Sequence, residues 1–320
     1  MKHFIFILIC FAGLQTTLVA QDEKDTLRIQ YYDVSEEYQY GYKKPGVFDF
    51  FTNIPKNYAD MGKKIVKPNG MKWLGITALA TTVLVPADQG FVQSVQYASS
   101  DLGLSQSHSY HKIIGGVEYP TNIPATFYHF GHGNVSLLFA SGFLATGLIK
   151  NDYRAIHTSI EIGESIITLG IMTQSLKRVF GRQTPNRATV DGGRWNFFPN
   201  LKDYMINTPN YDAFPSGHMA TLASTVTVIA KNYPEVKWIK PVGYTMMGLL
   251  GVEMMNSGVH WAGDYPLGIL IGYSVATVSV NRRITKVEKR KLSYHKVRYT
   301  PEFTVTSFFG NTLIGCKVHF

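Results

Sequence analysis

Apolar runs at residues 73–87, 135–149, 160–176, 219–230, 241–255 and 266–280 punctuate this chain. Each is bounded by Gly, Pro, Asn or Asp and is too long for a typical strand, so the pattern predicts helices. The runs fall short of the roughly 20 residues that span a bilayer comfortably. The third carries Glu161, Glu164, Ser165 and Thr168 at i, i+3, i+4 and i+7. Such a stripe predicts a wet or site-facing helix side. Stretches 88–133 and 181–214 read as loop-rich. The expected fold class is all-α: a bundle of about six helices over residues 71–281, followed by a short C-terminal β-hairpin.

The two ends differ from this middle. Lys2 and His3 precede an apolar run and a small-residue exit ending at Ala20, which predicts a secretory signal peptide over residues 1–20. Its removal leaves Cys316 as the single cysteine and allows no internal disulfide. Residues 21–70 form a polar, Tyr-rich extension. Alternation in 303–309 and 312–320 around Gly310-Asn311 predicts the hairpin. If all six helices spanned and the chemistry below faced outward, residues 21–70 would be cytoplasmic, against the signal peptide. The expectation is therefore an exported, periplasmic domain that is membrane-associated or partly inserted.

The formal charge is +9, yet residues 282–298 hold eight Lys/Arg and one acid, leaving the rest of the chain near neutral. This basic tail suits an anionic membrane surface. Export and the lack of a nucleic-acid motif exclude a nucleic-acid partner.

Three short segments carry chemistry. Pro215-Ser216-Gly217-His218 ends a loop where a helix begins, with Ser216 as N-cap and the Gly217 and His218 N–H groups free for an anion. His260-Trp261-Ala262-Gly263-Asp264 places a carboxylate where it fixes the imidazole tautomer. Such a histidine can attack phosphorus. Lys177-Arg178-Val179-Phe180-Gly181-Arg182 gathers cations at a helix end, where they suit either phosphate oxygens or the helix dipole. Alone, each has an ordinary structural explanation as a cap or loop. His129-x2-His132 lacks the acids or cysteines of a metal site, so no metal is expected.

In this order the segments resemble the type 2 phosphatidic acid phosphatase superfamily, which also includes bacterial class A acid phosphatases and vanadium haloperoxidases. Its pattern is Lys-x6-Arg-Pro, then Pro-Ser-Gly-His, then Ser-Arg-x5-His-x3-Asp, and the resemblance covers residues 131–281. It implies a helical bundle with the site at one end, His260 as nucleophile, Asp264 orienting it and His218 protonating the leaving group. Lys177, Ser216 and Gly217 would hold phosphate. No cofactor is implied, vanadate entering only for haloperoxidase-like chemistry.

Two positions depart from the pattern. Thr184 stands at the first motif's Arg, and Glu253-Met254 replaces Ser-Arg. Losing one charged donor costs on the order of 10²–10³ in rate by analogy with oxyanion sites. Arg182 is the expected substitute, ahead of Arg178 and Arg187. The expected function is an exported phosphatase acting on a phosphomonoester or lipid (di)phosphate through a phosphohistidine. The alternative is an impaired relative that binds phospholipid in the envelope.

Overall fold

The computed structural model describes residues 29–46, 48–112, 118–289, 300–308 and 311–319. The predicted signal peptide lies outside them. Each predicted run lies in a helix: α2 (Pro68–Leu84, extended by a 3₁₀ turn at Val85–Ala87), α5 (Gly133–Lys150), α6 (Tyr153–Phe180), α8 (Gly217–Asn232), α9 (Ile239–Asn256) and α10 (Tyr265–Arg283). Further helices fall where loops or a plain extension were expected. These are α1 (Asp49–Ile65), α3 (Asp88–Asp101) and the short α4 (Ile123–His129) and α7 (Leu201–Ile206).

Helix α6 is much longer than its apolar run because its ends are capped. The Asp152 carboxylate accepts from the Ala155 N–H at 3.0 Å. At the other end Gly181 adopts φ +53°, and a Cβ there would lie 2.0 Å from the Asn196 carbonyl oxygen. Only glycine tolerates that turn, and it redirects the chain immediately before Arg182.

Helix α8 packs against α5, α6, α9 and α10. Ala220 joins Met61, Leu169, Ile271 and Val275 in one buried cluster, while Met219, Leu222 and Val226 meet Leu250 and Met254 in another. Helix α10 approaches α8 through Gly268 and Gly272. A Cβ at these positions would sit 2.5 Å from the Ser216 carbonyl oxygen and 2.2 Å from that of Ala220.

The polar stripe of α6 is neither wet nor site-facing. Glu161, Glu164, Ser165 and Thr168 are buried. Arg283 pairs with Glu164, which also accepts from Ser279 Oγ at 3.1 Å. Asn232 donates to Glu161 and accepts from the Tyr42 hydroxyl at 2.9 Å. These contacts draw on the ends of the chain. Strands β1 (Ile29–Asp33) and β2 (Tyr38–Lys43) pair antiparallel, and β2 also pairs with β5 (Thr285–Glu288). A second two-stranded sheet joins β3 (Tyr110–Lys112) and β4 (Glu118–Pro120).

The extension and the basic tail therefore meet in one sheet. Arg282 bonds Asp60 at 2.6 Å, Lys289 bonds Asp33 at 2.7 Å, and Lys286 lies 4.0 Å over the Tyr38 ring. Half of the tail's eight cations are thus engaged within the protein, and residues 290–298 lie outside those described. The hairpin forms from β6 (Thr300–Phe308) and β7 (Asn311–His319). Phe308 pairs with Asn311, so Asn311 is a strand residue rather than half of the turn.

The stretches Pro68–Asp101 and Gly133–Lys150 are long and apolar enough to cross a membrane, longer than the bare runs suggested. Their large apolar side chains face outward, including Leu79 and Val83 on α2 and Leu138 and Ile149 on α5. Contiguous apolar surface of this kind marks a face that meets lipid or another protein.

Candidate active site

The three motifs converge where α6 ends and α8 and α10 begin. The Ser216 N–H donates to the Asp264 carbonyl at 3.0 Å, and the Ala213 N–H donates to the Arg182 carbonyl at 3.0 Å. Ser216 caps α8 by accepting from the Met219 N–H at 3.3 Å. The N–H groups of Gly217 and His218 have no partner among the described residues, so the positive end of α8 is open.

His260 and Asp264 are both buried, and His260 Nδ1 lies 3.3 Å from Asp264 Oδ2. The same Oδ2 accepts from the Trp261 N–H at 2.8 Å. The other oxygen, Oδ1, accepts from Arg182 Nη1 at 2.8 Å. Arg182 is fully buried and committed elsewhere too. Its Nη2 donates to Asp88 Oδ2 at 2.7 Å and, with Nε, to the Gly192 carbonyl. The guanidinium lies 4.8 Å from the Trp195 ring centroid and 5.2 Å from that of Trp261.

The expectation that Arg182 binds phosphate is therefore corrected. Its donors hold two buried carboxylates, and one of them orients His260. Burial forces this: a charged group without solvent must be paired, and the nearest partners are Asp88 and Asp264. Asp88 went unnoticed in the sequence. It starts α3, is wholly buried, and also accepts from the Gly263 N–H at 2.8 Å.

A cavity of about 420 Å³ opens between α5, α6 and α8. Lys177, Gly217 and His218 line it, together with His132 and Asp212. Lys177 Nζ is 3.5 Å from Asp212 Oδ2. The His218 and His260 ring centroids are 5.9 Å apart, well within reach for two groups serving one phosphorus. His218 is in the cavity wall, whereas His260 is 2% exposed and is not. Burial, followed by the neighbouring His260, His132 and Lys177, pushes His218 well below the usual imidazole range.

The two departures have structural outcomes. Thr184 donates to Asn186 Oδ1 and the Pro209 carbonyl, knitting the loop after α6. Met254 is fully buried, with its sulfur 3.7 Å from Ser216 Oγ. Glu253 pairs with His108 at 2.9 Å and with Asn256, not with Lys177 or an arginine. Arg178 donates to the Gln174 carbonyl and side chain and stacks over Tyr204.

Sequence reading also missed an aromatic array beside His218. Tyr128 lies 4.6 Å from His218, His132 lies 5.4 Å from it, and His108 stacks on Tyr128 at 4.1 Å. His129 is 5.1 Å from His132. The cluster of histidines before residue 133 was visible, but nothing local showed that it folds onto the helix start at residue 217.

A family model described as the PAP2 superfamily matches residues 159–287, which include Lys177, Ser216–His218, His260 and Asp264. Over this region the resemblance drawn from the motifs holds. Among solved structures, Aquifex aeolicus LpxE is 25% identical and covers 49% of this chain and 83% of its own, with a TM-score of 0.36. The first transmembrane PAP2 type phosphatidylglycerolphosphate phosphatase from Bacillus subtilis is 12% identical and covers 74% and 96%, with a TM-score of 0.37. No curated protein matches.

Proposed function

We propose that this PAP2-type chain is a phosphatase of the cell envelope, exported and membrane-associated, that removes phosphate from a lipid-linked or small phosphomonoester. The observation that carries this reading is the Asp264–His260–His218 succession beside a cavity holding Lys177 and the open start of α8. With its proton on Nδ1, His260 donates to Asp264 and keeps the Nε2 lone pair for phosphorus. As the P–N bond forms, the P–O bond to the leaving group breaks and that oxygen takes a proton from His218. Neutral His218 then accepts a proton from water attacking the phosphohistidine, which releases phosphate and restores His260. Lys177 and the Gly217 and His218 N–H groups stabilise charge on the non-bridging oxygens. No cofactor enters the scheme. The outward apolar faces of α2 and α5 favour a lipid-linked substrate over a freely soluble one.

A second reading is a phospholipid-binding relative without turnover. It is favoured by Met254 and Thr184 at the arginine positions and by the absence of His260 from the cavity wall. Protein purified in detergent and assayed on p-nitrophenyl phosphate and phosphatidate, beside His260→Ala, decides between them. Release well above the His260→Ala background supports the enzyme. Equal release from both leaves the binding reading.

A further inference from the structure

The described side chains lining the cavity offer an incoming phosphate no net positive charge. Among its described lining residues Lys177 is the one cation, and it is paired with Asp212. Arg182 is consumed by Asp88 and Asp264. Neither Thr184 nor Met254 replaces the missing arginines. A dianion entering here meets the partial charge of the α8 start and no net side-chain charge.

Two neutral lining groups can become cations by gaining a proton, His218 and His132, while Asp212 can only lose its own charge and release Lys177. His218 is assigned above to the leaving group. His132 precedes α5, half-buried in the cavity wall, with neither ring nitrogen bonded to another described residue. We propose that His132 is a phosphate-binding cation of this site, charged by a proton taken up together with the anion. The inference rests on the reading that the cavity holds a phosphate group.

The surroundings of His132 explain why the charge arrives with the ligand. His129 and Tyr128 face it from α4, Tyr110 from β3, His108 from the preceding loop and His218 from α8. Glu118 on β4 favours its protonated form, and Lys177 and Asp212 line the same cavity as a pair. Burial, then His129 and His108, outweigh Glu118 and push His132 down to about 4. It is neutral near pH 7 in the free protein, and a dianion placed against it reverses the balance. The family's permanent cations are thereby replaced by a conditional one, and binding is tied to acid pH.

The test is calorimetric titration of the full chain in detergent with inorganic sulfate, whose charge stays fixed over the pH range used. Buffers of different ionisation enthalpy count the protons taken up. The wild type is expected to bind with proton uptake, its Kd rising up to about tenfold per pH unit as pH increases. His132→Gln should take up about one proton fewer and bind weakly at acid pH. His132→Arg should bind with that proton uptake gone and little pH dependence, which guards against a variant that merely misfolds. Unchanged uptake and affinity in His132→Gln overturn the proposal, as does failure of the wild type to bind sulfate at any pH. The parallel p-nitrophenyl phosphate assay separates the two readings. Hydrolysis with an unaltered His132→Gln profile sinks this proposal alone, and proton-linked sulfate binding without hydrolysis sinks the phosphatase alone.

Discussion

Replacing Arg182 by Gln is the sharpest probe of how this site is held. The guanidinium makes two charge-assisted bonds, 2.7 Å to Asp88 and 2.8 Å to Asp264, and two to the Gly192 carbonyl. Hydrogen bonds to charged groups contribute roughly 1.5–3 kcal/mol each, so the two carboxylate bonds together contribute about 3–6 kcal/mol. Stripping one partner from a buried ion pair costs about 3–5 kcal/mol by an independent route. Both point to about 4 kcal/mol, or nearly a thousandfold in the unfolded population. That is a large part of the roughly 5–15 kcal/mol by which folded proteins exceed their unfolded state. Chemical denaturation in detergent, alongside sulfate affinity and p-nitrophenyl phosphate turnover, distinguishes the two roles this residue has been given. A positioning role predicts a large loss of stability and of kcat, with sulfate affinity changed by less than about threefold. Adding Asp88→Asn to Arg182→Gln should recover much of the stability by removing an orphaned charge. Intact stability with collapsed sulfate affinity would refute the positioning role and return Arg182 to the phosphate.

Three further outcomes follow from the same geometry. Because His218 is held below the usual imidazole range and must be protonated to serve as acid, kcat/KM should rise as pH falls from 8 towards 5; a profile that is flat or rises towards alkali rules that role out. Arg283→Met leaves Glu164 buried and unpaired and should cost about 3–5 kcal/mol, most of it restored by adding Glu164→Gln, as read by the denaturation midpoint. Gly272→Ala drives a Cβ to 2.2 Å from the Ala220 carbonyl and should cost about 1–3 kcal/mol in thermal unfolding, whereas Gly248→Ala, where nothing lies within 4 Å, should be neutral or slightly stabilising.

The six apolar helices and the three motifs were legible because both signals are local: a periodicity or a cap reads out over a few residues. Helix α1 was hidden because its apolar residues are thinly spread among polar ones, and α3 because Gly90 and its serines dilute the pattern. Arg182 shows a different limit. Sequence supplied its type and its nearness to Lys177, but the turn at Gly181 aims it into the protein and away from the cavity. Asp88 reaches the site across 94 residues of chain to Arg182, and His108 reaches Glu253 across 145. Separations of that size leave no trace in spacing. The α6 stripe, expected to be wet or site-facing, is instead covered by residues distant in the chain: Asn57 donates to Thr168, Asn232 to Glu161 and Arg283 to Glu164.

The three-stranded sheet adds a constraint of parity. Strand β5 pairs with β2, so residues 38–43 and 285–288 must lie on one side of any bilayer. Whatever crosses between them crosses an even number of times, as the two candidate segments Pro68–Asp101 and Gly133–Lys150 would. The sheet sits by Asn232 and Arg283, the finishing ends of α8 and α10, while the cavity sits by their starting ends. Were α6, α8, α9 and α10 to cross as well, which keeps the number even, sheet and cavity would face opposite compartments. With the two outer segments alone, both can share one. A label placed on β1 and a membrane-impermeant phosphatase inhibitor therefore report on the same question from the two ends of the bundle.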